Sequence, residues 1–220
     1  LNEDDQPEEQ HRVRTPHVYA AIQNSRLSPY ILSKASNDSE VGKIFGIGVY
    51  GHLGSLIEIE AIAFPAEGGS GTIRFNDTAG SMAKDSVVNA ASVFRKERGT
   101  NLNQYDIHIN IIGGGKVDGP SAGAAIYLSI VSAVLNQPVR QDVAISGELS
   151  IQGRVKPVGG IYQKIFAAMQ SGIKKIIIPE ENIPDIPIGI QGIEVIPIKY
   201  IQEAYSHVFS LQDTLQIISL

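Results

Sequence analysis

The sequence predicts a mixed α/β (α+β) domain. Three observations carry this: β-rich runs and amphipathic helical runs interleave without strict strand-helix-strand alternation, one helical stretch is apolar on nearly every side, and the composition is that of an ordinary globular protein. Of 220 residues, 43% are hydrophobic and 19% charged. A chain of that length builds one full core, and two domains would each be small, so one domain plus a tail is expected.

Residues 1–14 carry five acidic side chains and little that is apolar, and read as a solvated tail or a linker. Thr15-Pro16 marks a helix start, with Thr15 as N-cap, and a short helix to about Arg26 follows. Pro29 and the polar run from Ser33 to Glu40 end it, which places the main domain at residues 41–220 and a tail with a short helix at 1–40. Lys43 to Tyr50 and Ser55 to Phe64 are strands; in the second, Leu56, Ile57, Ile59, Ile62 and Phe64 approximate the alternation of a half-buried strand. A short strand spans Gly71 to Asn76. Ser81 to Arg98 is an amphipathic helix with Val87, Ala91 and Phe94 on one face. Gln104 to Ile112 is a strand, Gly113 to Gly119 a glycine-rich loop, and Pro120 to Leu135 a helix without a charged residue, hence buried all round. Short strands around Val143 to Leu149 and Ser150 to Pro157 precede a helix from Gly160 to Gln170. Strands at Lys174 to Ile178 and Ile193 to Ile198 and a C-terminal helix from Ile201 complete the chain.

Composition excludes several function classes. The net charge of -5 argues against a nucleic-acid partner, since that binding neutralises phosphates with Lys and Arg. With no cysteine, thiolate nucleophiles, disulfides and cysteine-bearing zinc sites are all absent. Leu1 to Gln10 is acidic and polar where a signal peptide is basic and then apolar, and no run approaches the roughly 18 apolar residues of a membrane span. A cytoplasmic address with no membrane contact is the expectation.

Two glycine motifs fail on context. Gly46-Ile47-Gly48-Val49-Tyr50-Gly51 fits a dinucleotide fingerprint, but a strand follows it where a helix must hold the pyrophosphate; the glycines instead suit a twisted or bulged strand. Gly113-Gly114-Gly115-Lys116 is followed by Val117, so it is no phosphate-binding P-loop. Gly119-Pro120-Ser121-Ala122-Gly123 fits a nucleophile elbow, yet no strand runs directly into its serine. A hydrolase triad with Asp142 or Asp185 and His207 stays open as an alternative.

Ser121 sits in the first turn of the apolar helix, with Pro120 ahead of it, where unpaired N–H groups and the helix dipole favour a developing oxyanion. The plain alternative is a serine that caps a buried helix. In the helix after Gly160, Ile161, Ile165, Ala168 and Met169 form an apolar stripe, and Lys164 falls on that stripe. A lysine pointing inward either finds a carboxylate or loses its proton, and a neutral amine can accept a proton from a serine hydroxyl. The alternative is a lysine that snorkels to solvent.

At these residues the chain resembles the proteolytic domain of the ATP-dependent Lon proteases, most of all the B-type enzymes of spore-forming bacteria. Asp118-Gly119-Pro120-Ser121-Ala122-Gly123 matches the family's serine motif. Gly147-Glu148-Leu149 through Gly153, Val155, Pro157, Gly159, Gly160 and Lys164 matches its lysine block, 43 residues from serine to lysine. Ala167-Ala168, Gly172-Ile173 and Ile178-Pro179-Glu180-Glu181-Asn182 continue the match, so the resemblance covers about residues 40 to 200.

The resemblance implies a ribosomal-protein-like α/β fold and a serine endopeptidase of the endopeptidase La type. Its Ser-Lys dyad would be Ser121 and Lys164, with Ser146, Asp118, Gly119 and Pro120 in support and His108 either supporting or a core histidine. It further implies hexameric homo-oligomeric rings that degrade unfolded or damaged proteins in cytoplasmic quality control. No metal or cofactor is expected in this chain, since ATP and Mg act only through an ATPase module that it does not contain; either that module was excised or it is naturally absent. Gly115-Lys116-Val117 departs from the family's usual proline-lysine pair before Asp118. The rival from another class is a catalytically silent Lon-like assembly module.

Overall fold

The computed structural model describes residues 13–24, 33–77, 79–112 and 119–219, which fall into two compact units, 1–30 and 31–220. The acidic tail and the glycine-rich loop at 113–118 lie outside the described residues. In the first unit, α1 spans Thr15–Asn24. Its first carbonyl acceptor is Arg14, bonded by the amides of His17 and Val18 at 2.8 and 3.3 Å, so the cap falls on Arg14 and Thr15 is already helical.

The second unit is built on a seven-stranded mixed sheet. In chain order its strands are β2 (Lys43–Tyr50), β3 (Leu53–Pro65), β4 (Ile73–Phe75), β5 (Tyr105–Ile112), β7 (Val143–Ile145), β10 (Lys175–Pro179) and β11 (Glu194–Ile198). Two small pairs lie outside it: β1 (Ser39–Val41) with β6 (Pro138–Arg140), and β8 (Glu148–Leu149) with β9 (Val155–Lys156). The spatial order of the large sheet is β11-β10-β7-β2-β3-β5-β4. β11, β10, β7 and β2 are mutually parallel, whereas β2, β3 and β5 form an antiparallel meander. The carboxyl ends of β2, β7 and β10 therefore open on one side of the sheet, where ligand crevices of open α/β sheets form.

Helices α2 (Ser81–Arg98) and α3 (Gly123–Leu135) share the larger core, and α4 (Ile161–Gln170) packs in a second core with Phe45, Ile47, Leu56, Ile176 and Ile178. Every residue of α3 from Gly123 to Ser132 is buried, as its uncharged sequence requires. The glycines of β2 let it approach this closely. A Cβ on Gly46 would lie 3.6 Å from Ala125 Cβ, and one on Gly48 would lie 2.7 Å from Ile57 Cδ1. A side chain at Gly48 would force the Ile57 side chain of β3 to shift, while one at Gly46 would just touch α3. The fingerprint glycines are thus packing residues in a strand.

α3 is also tied at its middle. The Tyr127 hydroxyl meets Tyr205 Oη at 2.7 Å, and both reach Glu97 Oε2, at 2.8 and 2.7 Å, joining α2, α3 and the C-terminal segment.

That segment departs from the continuous helix expected after Ile201. It runs as a 3-10 turn (Ile201–Ala204), α5 (Tyr205–Val208) and α6 (Leu211–Ser219). Ser210 sits at the break, its Oγ accepting the Asp213 amide at 3.1 Å, so a new helix is capped where the apolar periodicity continued. The expected strand over Ser150 to Pro157 shrinks to Val155–Lys156, because Ser150 and Gly153 close a turn at 2.9 Å.

Candidate active site

Ser121 enters the site on a 3-10 turn, Pro120–Ala122, that leads into α3. Gly119 before it is extended, and a Cβ there would meet nothing within 4 Å. The turn is anchored from β7's continuation: Gly147 N–H donates to Ser121 O at 2.9 Å, and Ala124 N–H donates to Gly147 O at 3.0 Å. The Gly123 amide bonds Pro120 O. The reading of a helix start with freely available amides is corrected accordingly, since those of Gly123 and Ala124 are already engaged.

Lys164 projects from the apolar stripe of α4, one turn after Gly160, whose left-handed φ of 72° starts the helix. The inward reading of the stripe is right: Lys164 is 2% exposed, with Ile161, Ile165 and Ala168 buried beside it. Among the described residues no carboxylate bonds it. Its Nζ donates to Ser146 Oγ at 2.8 Å, and Ser146, fully buried, follows directly on β7. Desolvation pushes the ammonium down from the ordinary 10.5 to about 8, because burial strips water from the charged form.

Ser121 and Lys164 line one cleft of about 320 Å³, with Val49, Pro120, Pro157, Val158 and Gly159 completing its walls. The elements that meet here are the carboxyl end of β2, the start of α3 and the segment between β9 and α4. Asp118 lies outside the described residues.

The rival triad does not assemble. Asp142 precedes β7 at the opposite end of the strands, bonded to Arg140 at 2.9 Å and near Lys174 at 3.7 Å. His207 is on α5, where burial and the charge of Lys175, at the amino end of β10, lower its pKa. Asp185 is bound to Asn182. His108 is not a core histidine: it is exposed on β5, in register with Ile62 of β3 and Arg74 of β4. Among the described residues no cluster of His, Cys, Asp or Glu could hold a metal ion, and no helix is long and apolar enough to cross a membrane. Residue spacing did not reveal that Asn182 reaches the cleft wall, although its motif was visible.

The depressed Lys164 pKa has a consequence for stability. Between about pH 8 and 10.5 the unfolded chain binds this proton and the folded chain does not, so stability rises with pH over that window. Wild type should gain roughly 3 kcal/mol relative to Lys164→Met across it, by order of magnitude. Urea titrations of both proteins at pH 7, 8, 9 and 10 measure the difference; parallel curves would rule out a buried, neutralised lysine.

A mixed α/β sheet whose carboxyl-end cleft holds a serine at a helix start and a buried lysine of lowered pKa is an arrangement suited to a serine hydrolase domain. The family model of the Lon protease (S16) C-terminal proteolytic domain matches residues 23–210. The chain is 42% identical over 202 residues to Lon protease 2 of Bacillus subtilis, covering 85% of this chain and 36% of that protein. It is 36% identical over 207 residues to the Lon protease of Rickettsia felis, covering 86% and 26%. The corresponding match to the archaeal Lon protease of Pyrococcus abyssi is 38% over 170 residues, covering 74% and 17%. This chain belongs to the Lon protease proteolytic-domain family, a family of serine peptidases. It spans little more than a third of the first of these relatives and less of the others.

Proposed function

We propose that this chain is the proteolytic part of an ATP-dependent Lon protease, a serine endopeptidase that works through a Ser121-Lys164 dyad. The observation that carries the reading is a buried Lys164 Nζ, bonded to Ser146 Oγ, in the cleft that holds Ser121. Neutral Lys164 takes the Ser121 proton as Oγ attacks the scissile carbonyl, and Ser146 orients the amine by accepting one of its N–H groups. The tetrahedral oxyanion is held by the amides of Ser121 and Ala122, those of Gly123 and Ala124 being engaged. The Lys164 ammonium then protonates the leaving amine, and water, activated by the same amine, releases the acyl group from Ser121.

Unfolded or damaged proteins are the substrates of this reading, a hexameric ring its assembly and the cytoplasm its compartment. Nucleotide and metal enter only through an ATPase module. Supporting roles for Asp118, Gly119 and Pro120 belong to the same proposal. The test is covalent labelling: a fluorophosphonate should modify Ser121 and block cleavage of casein and a fluorogenic peptide, with chelator leaving peptide cleavage unchanged. A chain that never labels at Ser121 under assembling conditions would be the silent module instead.

A further inference from the structure

One wall of the cleft that Ser121 lines is the segment Pro157-Val158-Gly159, and both of its outer residues are exposed. An exposed segment of this kind between a two-residue strand and a helix is ordinarily mobile. Here one side chain takes over the work of a neighbouring strand. Val158 N–H donates to Asn182 Oδ1 at 2.9 Å, and Asn182 Nδ2 donates to Val158 O at 3.0 Å. Nδ2 donates its second hydrogen to Asp185 Oδ2 at 2.7 Å, which sets the amide in the one orientation that satisfies both Val158 groups. Asn182 itself is 5% exposed, on the 3-10 turn Glu180–Asp185 that follows β10. The clamp therefore ties the cleft wall to the carboxyl end of the central sheet.

We propose that Asn182 is a positioning residue for peptide binding: it holds the Pro157-Val158-Gly159 wall in its substrate-receiving shape, with Asp185 fixing the direction of its amide. This deepens the peptidase reading and rests on it. The clamp does not touch Lys164, whose amine is held from the other side by Ser146. Losing it removes binding made equally in the ground and transition states, which appears in KM and not in kcat.

Steady-state cleavage of a fluorogenic peptide by the full chain tests this. Asn182→Ala should raise KM on the order of tenfold, the size of effect that slight misplacement of a binding wall produces. kcat, the pH midpoint of kcat and the rate of Ser121 labelling by a small fluorophosphonate should stay near wild type, which general loss of structure would not allow. Asp185→Ala, a milder change, should move KM in the same direction by less. An unchanged KM in a folded Asn182→Ala, or a loss confined to kcat, overturns the proposal; if Asn182→Ala does not fold, the Asp185→Ala KM decides in its place. Hydrogen exchange of the Val158 amide separates this inference from the peptidase reading. Exchange should be much faster in the variants whether or not the chain cleaves peptides, and unchanged protection would mean that no clamp exists.

Discussion

Lys164→Ala should abolish peptide cleavage as completely as Ser121→Ala, with kcat/KM falling on the order of a thousandfold or more in each. The two groups line one cleft, and in the proposed dyad they act on one proton, so removing either removes the step. The double variant should be no worse than the singles, because members of a catalytic unit are strongly non-additive. Lys164→Arg should fail as well despite keeping a positive charge, since a guanidinium does not deprotonate in a protein. His207→Ala should change little, because His207 sits at the far end of the parallel strands. Peptide cleavage at matched folding, checked by circular dichroism, decides. Robust activity in Lys164→Ala with loss in His207→Ala would restore the triad that the geometry disfavours.

The second large effect is on pH. The amine must be neutral to accept the serine proton, and burial lowers its pKa to about 8, so kcat/KM should climb with pH and level off above that value. Below it the rate should fall about tenfold per pH unit, reaching about a hundredfold loss two units down. A histidine base would level off near its unperturbed pKa of about 6.5, and an exposed lysine near about 10.4. The position of the single inflection thus reports which group is the base and how dry its surroundings are. A plateau already reached at pH 7 would exclude Lys164. The same dryness costs stability below about pH 8, a penalty relieved as pH rises through the window argued above, so activity and the stability penalty have one physical source.

Much of this molecule was legible before its structure. The helix Ser81–Arg98 appears with the bounds its periodicity marks, because a long amphipathic pattern has few alternatives. Helix α3 was legible as buried for want of a single charge. Lys164 was legible as inward because it interrupts an apolar stripe at helical spacing, and its 2% exposure follows. Local chemistry was harder where short-range and long-range preferences compete. The short strands β1 and β6 exist only because each pairs with the other across nearly a hundred residues, which no local pattern encodes. The break at Ser210 has a capping signal, Ser210 with Asp213 three residues on, but the apolar periodicity runs through it.

The sequence by itself determined the mixed α/β class, the family and the two residues, Ser121 and Lys164, whose types and surroundings fit one piece of chemistry. Those properties are written in composition, periodicity and motif, which are local along the chain. What tertiary structure alone decided is where these groups meet and what surrounds them. β2, β7 and β10 had to align in parallel before Val49 could line the cleft while Ser146 and Asn182, buried behind it, held Lys164 and Val158. The lysine's lowered pKa depends on water being excluded by residues far away in sequence. Likewise, the Ala124 amide just past the serine turn is taken by Gly147 O, and the Val158 wall is held by Asn182 from the end of another strand. A hydrogen bond or a desolvation penalty depends on distance in space, so it is settled only when the fold has closed.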